Sequence, residues 1–333
     1  MNKIYLMLIS FSLIFSSCET DFDVNAQWQE IMVVYGLLDQ SQSRQYIRVN
    51  KAYLGAGDAF QMGSISDSIN FPDSILEVKI YKLLQNTDII DSIELDTLTI
   101  MKEDGLFASD NHFVYASLES HSSFFVSDKL YSLLIRNKRS GHTATSVTSL
   151  VPVSTFTNLP SEITIDNPFK FNFYNPNYAD SLKFQVKKID WNKYTPGRIY
   201  QLDVRFNYLE NNVDTLSLIW QQPLVSDNSI NLEGAEFFSF LRNNIDDNNA
   251  VREFISLDLF LTVGSIELAN YIALNSPSTS LVQQRPPYTN IIDGEGFDGV
   301  GLFSSRSTTQ LLGIDLHEMT RTYLIEELDR NFN

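Results

Sequence analysis

Apolar and polar residues alternate with a period of two along most of this chain. Leu76, Val78 and Ile80 alternate with Glu77, Lys79 and Tyr81, and Tyr131, Leu133 and Ile135 form a second run. Leu182, Phe184 and Val186 repeat the pattern, as do Tyr200, Leu202, Val204, Phe206 and Tyr208. Ile255, Leu257, Leu259, Leu261 and Val263 form the cleanest series. A strand turns successive side chains to opposite faces, so each run predicts a half-buried strand. The many Ile, Val, Phe, Tyr and Thr residues suit a pleated surface.

The strands fall into two groups. Candidates at 31–35, 45–53, 76–83, 92–100, 130–136 and 143–151 predict an N-terminal immunoglobulin-like β-sandwich, spanning 30–152. Pro152 cannot donate to a ladder and holds its neighbour extended, so it marks the exit from that domain. The Gly-, Ser- and Asp-rich stretch 55–73 reads as a long loop. The second group, 153–333, predicts a β-rich domain with inserted helices. Phe237, Phe238, Leu241 and Ile245 share one face of a helix at 233–245. A second helix, 265–275, carries Leu268, Tyr271 and Ile272, with Ser265 as its cap. A C-terminal helix, 317–330, turns Met319, Tyr323, Leu324 and Leu328 inward. These stripes read as core contacts. No βαβ alternation appears, so the class is mostly β and not a parallel doubly wound sheet.

The N-terminus departs from this pattern. Lys3 precedes an apolar run, 4–15, that is too short to span a bilayer and has the length of a signal-peptide core. Ser16 and Ser17 then precede Cys18, the only cysteine. This predicts a lipoprotein signal peptide, 1–17, cleaved before Cys18, which takes the lipid. Several acyl chains on one cysteine anchor firmly where a single chain would not. The acidic tether 18–29 begins with Glu19, Asp21, Phe22 and Asp23. These residues resemble the acidic export signal that carries Bacteroidota lipoproteins to the outer face of the outer membrane. The expected location is therefore the outer membrane, lipid-anchored and displayed at the cell surface.

Composition narrows the classes further. The formal net charge is −17 over 333 residues, which disfavours nucleic-acid binding and a basic membrane-surface patch. With Cys18 lipidated no disulfide can form within the chain, so a core drawn from the 43% hydrophobic residues must stabilise it.

The chain offers little recognisable catalytic chemistry. Gly294, Gly296 and Gly299 match G-x-G-x-x-G by letters, yet Asp293, Glu295 and Asp298 in the same loop would repel a phosphate. The stretch 300–303, directly after the last of these glycines, reads as a strand and not as the helix that such a motif needs. The loop carboxylates, and Asp246 with Asp247, lack the spacing of a calcium loop. His112, His121, His142 and His317 form no zinc-binding pair, and no G-x-S-x-G elbow is present. A carboxylate pair of the glycosidase kind is a matter of spatial separation and leaves no trace in sequence. Trp191 and Trp220 read as core residues, and Trp28 lies in the tether. We therefore expect no catalytic residue, no metal site and no cofactor.

One late segment is distinctive. Arg285, Pro286, Pro287, Tyr288, Thr289, Asn290 and Ile291 are followed by a glycine-rich stretch and then Gly301, Leu302, Phe303, Ser304, Ser305 and Arg306. This segment resembles the C-terminal signature of an uncharacterised Bacteroidota outer-membrane lipoprotein family, a domain of unknown function often encoded near TonB-dependent transporters. The resemblance implies a non-enzymatic accessory or binding partner of such a transporter or a related envelope complex. It implies no catalytic residues. The motif itself reads either as structure or as a partner-binding edge. Two alternatives stand beside the accessory reading: a stand-alone glycan- or ligand-binding surface lipoprotein, and a carboxylate-dependent hydrolase on a β scaffold.

Overall fold

A computed structural model describes residues 31–52, 59–84, 88–100, 112–127, 129–275, 288–294 and 299–333. Cys18, Glu19, Asp21, Phe22, Asp23, Trp28, Pro286 and Pro287 lie outside the described residues. The chain is mostly β, as the alternation predicts.

Its centre is a nine-stranded sheet that serves two cores. One limb contains β1 (Met32–Asp39), β2 (Tyr46–Lys51), β6 (His112–Ala116) and β5 (Asp96–Ile100). A five-stranded sheet faces it: β3 (Leu76–Leu83), β4 (Ile89–Glu94), β7 (Leu130–Asn137), β8 (Thr143–Ser149) and the two-residue β15 (Ile292–Asp293). The inward parity of each strand fills the space between them. Val34 and Leu38 of β1 meet Val78 and Ile80 of β3 and Leu133 and Ile135 of β7, all buried.

The expected single strand at 92–100 is two strands in different sheets. The chain crosses between sheets at Leu95, whose N–H bonds the carbonyl of Val78 at 2.9 Å and whose side chain enters the core. The expected loop at 55–73 holds two short helical turns, α1 (Ala59–Gly63) and α2 (Ser66–Ile69). Asn70 closes that segment onto β2 through Asn50 Nδ2 at 2.8 Å, so local side-chain bonding supplies structure that hydrophobic periodicity could not signal.

The other limb contains β11 (Gly197–Glu210), β12 (Asp214–Gln221), β14 (Arg252–Ser265) and most of β16 (Val300–Leu316). Over it lie α3 (Gly234–Asn244), α5 (Glu318–Glu326) and a ribbon of β10 (Val186–Asp190) with β13 (Ser229–Glu233). The short β9 (Lys170–Phe171) pairs in parallel with the end of β16. Phe206, Trp220, Phe237 and Phe238 dominate this second core. Phe237 stacks on Phe173 with ring centroids 4.5 Å apart. His317 caps α5 by accepting the N–H of Met319 at its Nδ1. Thr320 of the same helix is fully buried; its hydroxyl accepts from Phe173 N and donates to Asn172.

Strand β16 belongs to both limbs. Its first residues pair in parallel with β1, from Val33↔Val300 to Asp39↔Arg306. The stretch from Arg306 to Ile314 pairs antiparallel with β14. Phe303, Ser305, Ser307, Thr309 and Leu311 share one parity. Phe303 lies in the first core and Leu311 in the second. The three hydroxyls between them hold the passing segment 149–154. Ser305 Oγ donates to Ser149 O and accepts from Val151 N at 3.0 Å. Ser307 Oγ donates to Pro152 O at 2.8 Å, and Thr309 Oγ1 donates to Ser154 O. Backbone groups buried on a sheet face need partners, and these side chains provide them.

Two apolar runs depart from simple alternation. In β14 an extra residue opposite Asn207 and Tyr208 shifts the register, so Phe254 is buried and Ile255 is exposed. Leu182, Phe184 and Val186 do not line a core. Leu182 ends a 3₁₀ turn and Phe184 forms a lone bridge with Tyr174; all three are exposed, while Ile189 takes the buried position of β10. The C-terminus is tied down by Arg252, which is fully buried. Its guanidinium bonds Glu210 Oε1, Asn248 Oδ1 and Arg330 O, which meets the condition for burying a charge.

Burial pushes the pKa of Tyr115 on β6 up to about 12, with the negative charge of Asp73 adding to the shift. Between pH 10 and 12 the unfolded chain gives up this proton while the folded chain keeps it, so stability falls as pH rises. The contribution is roughly 2–3 kcal/mol. Urea midpoints measured across this range should fall more steeply for the parent than for Tyr115→Phe; equal slopes would refute the assignment.

Candidate functional site

The late motif is built into the first core. Asn290 lies beside β16 and bonds its backbone on both sides of Phe303. Nδ2 donates to Phe303 O at 2.6 Å, and Oδ1 accepts from Phe303 N at 2.9 Å. One side-chain amide thus takes the place of a neighbouring strand where β14 has left the sheet. Ser146 of β8 donates to Asn290 O at 2.7 Å, and Thr289 Oγ1 accepts from Ile291 N. Phe303 is fully buried. Gly301 adopts φ +121, and a Cβ there would sit 1.8 Å from Val34 O. Only glycine fits so close to β1. Burial raises the pKa of the Tyr288 phenol, which also hydrogen-bonds Asn270.

The helix α4 (Ile266–Asn275) begins where β14 ends. Ser265 Oγ lies 2.7 Å from Ser304 Oγ, and Thr148 donates to Glu267 at 3.1 Å, so the start of the helix is fixed to both β16 and β8. Leu268, Tyr271 and Ile272 were expected to be core contacts. They are only partly buried and line a groove of about 620 Å³ on the outer side of β1, β2 and β16.

The groove is made by strand parity. Val34 and Leu38 point into the first core, so Tyr35, Leu37 and Asp39 face outward. Ile47 points inward on β2, so Tyr46 faces outward. Phe303 points inward on β16, leaving Leu302 and Arg306 in the groove wall. Tyr35 is 41% exposed and Tyr46 47%. Tyr35 meets Tyr271 edge to face, with centroids 6.4 Å apart and ring planes at 84°. The Tyr35 phenol has a raised pKa, from burial first and then from its hydrogen bond to Tyr271.

No protein-family model matches the chain, and no curated protein matches it.

Two arginines line the same groove. Arg44 Nε lies 3.3 Å from Glu119 Oε1. Arg306 Nε lies 3.8 Å from Asp39 Oδ2, an ion-pair distance too long for a hydrogen bond. Asp39 finds its hydrogen bonds elsewhere: its Oδ1 accepts from Ser41 N at 3.0 Å and Ser41 Oγ at 2.6 Å. Gln45 clamps the turn by accepting from Asp39 N and donating to Asp39 O. Asp39 is the one carboxylate in the groove lining among the described residues. A second cavity, about 670 Å³, lies where the two limbs meet and includes Lys129, Pro152 and Tyr194. Among the described residues no group of three or more His, Cys, Asp or Glu side chains is placed to hold a metal.

Trp191 and Trp220 are in the second core and are not free to stack on a ligand. Sequence reasoning placed Arg306 in the late motif without giving it a role and did not single out Tyr35, Tyr46 or Arg44. The available signal was an aromatic at an outward parity position on each of two adjacent strands, at Tyr35 and Tyr46.

Asn290→Ala removes two bonds to the backbone of Phe303. The expected loss is about 2–4 kcal/mol, read from the shift in urea midpoint. A loss within error of zero would show that the side chain does not complete the ladder.

Proposed function

We propose that the mature protein is a lipid-anchored outer-membrane lipoprotein displayed on the cell surface, acting without catalysis as an accessory or binding partner of an outer-membrane transporter or related envelope complex. The observation that carries this reading is the lone Cys18 directly after a short apolar run, with Glu19, Asp21, Phe22 and Asp23 behind it. The resemblance of the late motif supports the transporter association. The first core is read as an immunoglobulin-like sandwich, supported by its two facing sheets and the strand that changes sheets at Leu95. Such a body held on a lipid tether suits display.

The groove supports a second reading, a surface lipoprotein that binds a saccharide or another small ligand on its own. Exposed aromatic rings in a concave site with a few charged groups are the common pattern of such sites.

The first reading is tested by affinity purification from detergent-solubilised outer membranes. The parent chain should incorporate a fatty-acid label and co-purify with a membrane protein in stoichiometric amount. Cys18→Ala should lose the label and the membrane fraction. Label retained by the variant, or no membrane partner recovered with the parent, would count against it.

A further inference from the structure

We propose that the groove formed by Tyr35, Tyr46 and Tyr271 binds an acidic saccharide, with sugar rings resting on the tyrosine faces and a sugar carboxylate held by Arg306. The proposal rests on the saccharide reading and names the class of sugar.

Three observations carry it. The first is the shape of the aromatic surface. Tyr35 and Tyr46 project from adjacent strands, and Tyr271 closes the groove from α4 at nearly a right angle to Tyr35. The C–H face of a pyranose ring packs well on such exposed phenols. The volume of about 620 Å³ falls within the range of small-ligand sites.

The second is charge. The chain carries a formal −17, yet two arginines line this groove; Arg44 is paired with Glu119 at 3.3 Å, which leaves Arg306, facing Asp39, as the cation open to a ligand. Arg306 is about half exposed, and its 3.8 Å approach to Asp39 orients the guanidinium without using its donors in a hydrogen bond. A guanidinium left in that state pairs bidentately with a carboxylate from outside.

The third is what the groove lacks. Its floor strand, β1, is paired along both edges, with β2 on one side and β16 on the other. A peptide that binds by adding a strand needs an open edge, and β1 offers none among the described residues. The available surface is side-chain faces and a cation, which suits a ring-shaped anionic ligand better than an extended chain.

Isothermal titration of the mature lipoprotein in detergent with three probes tests the proposal: trigalacturonate, its fully methyl-esterified form, and a triglutamate peptide. Trigalacturonate should bind, and the ester, which keeps the rings and loses the charge, should bind roughly tenfold more weakly or worse. Arg306→Met should abolish the difference between acid and ester, and Tyr35→Ala should weaken both. Equal binding of acid and ester would overturn the acidic class while leaving a saccharide groove. Triglutamate binding as tightly as trigalacturonate would show that charge alone is read and would overturn the saccharide. No binding of either sugar at millimolar concentration would overturn the saccharide reading itself. The acid–ester comparison is made on the unaltered protein, so it stands even if a variant fails to fold.

Discussion

Strand β16 is a wall of two cores at once, and the rest of the structure depends on how it manages this. A strand face that is apolar at both ends and crossed by another segment in the middle has a physical problem. The crossing segment brings backbone carbonyls onto a surface with no water to solvate them. Ser305, Ser307 and Thr309 solve it by placing a hydroxyl at every inward position between Phe303 and Leu311. The segment 149–154 can then run across the sheet face, and the chain passes from one core to the other with the carbonyls of Ser149, Pro152 and Ser154 paired.

The other face of the same strand sets the groove. Because Phe303 must point inward, Leu302 and Arg306 must point out. Because β14 leaves the sheet at Ser265, α4 is free to fold over that outer face. The departure of β14 also strips part of β16 of a neighbour, and the Asn290 amide fills the gap at Phe303. Gly301 lets β16 approach Val34 closely enough for the parallel ladder with β1 to form. The late motif is thus the structural support of the groove.

Much of this fold was legible in the sequence, and the gaps have physical reasons. Strands at 76–83 and 200–208, and the helix around Phe237, Phe238 and Leu241, come directly from hydrophobic period. The long β16 was visible only at 300–303, because its middle inward positions are Ser, Ser and Thr, which carry no hydrophobic signal. The bulge that buries Phe254 and exposes Ile255 is a tertiary effect with no local mark. The two halves read as separate groups because strand pairing between residues near 35 and near 303 leaves no trace in spacing. The groove was hidden for the same reason: it joins side chains from β1, β2, α4 and β16, and no linear motif brings them together.

If β16 joins the two cores, they should lose structure together. Urea unfolding of the mature chain, followed by far-UV circular dichroism and by tryptophan fluorescence, tests this most directly. Circular dichroism reports strands of both cores, whereas in a Trp28→Phe background Trp191 and Trp220 report the second core. A single transition with superimposable curves from both probes is the predicted result. A tryptophan transition clearly separated from the circular-dichroism curve would contradict it, because the second core would then be melting without the first.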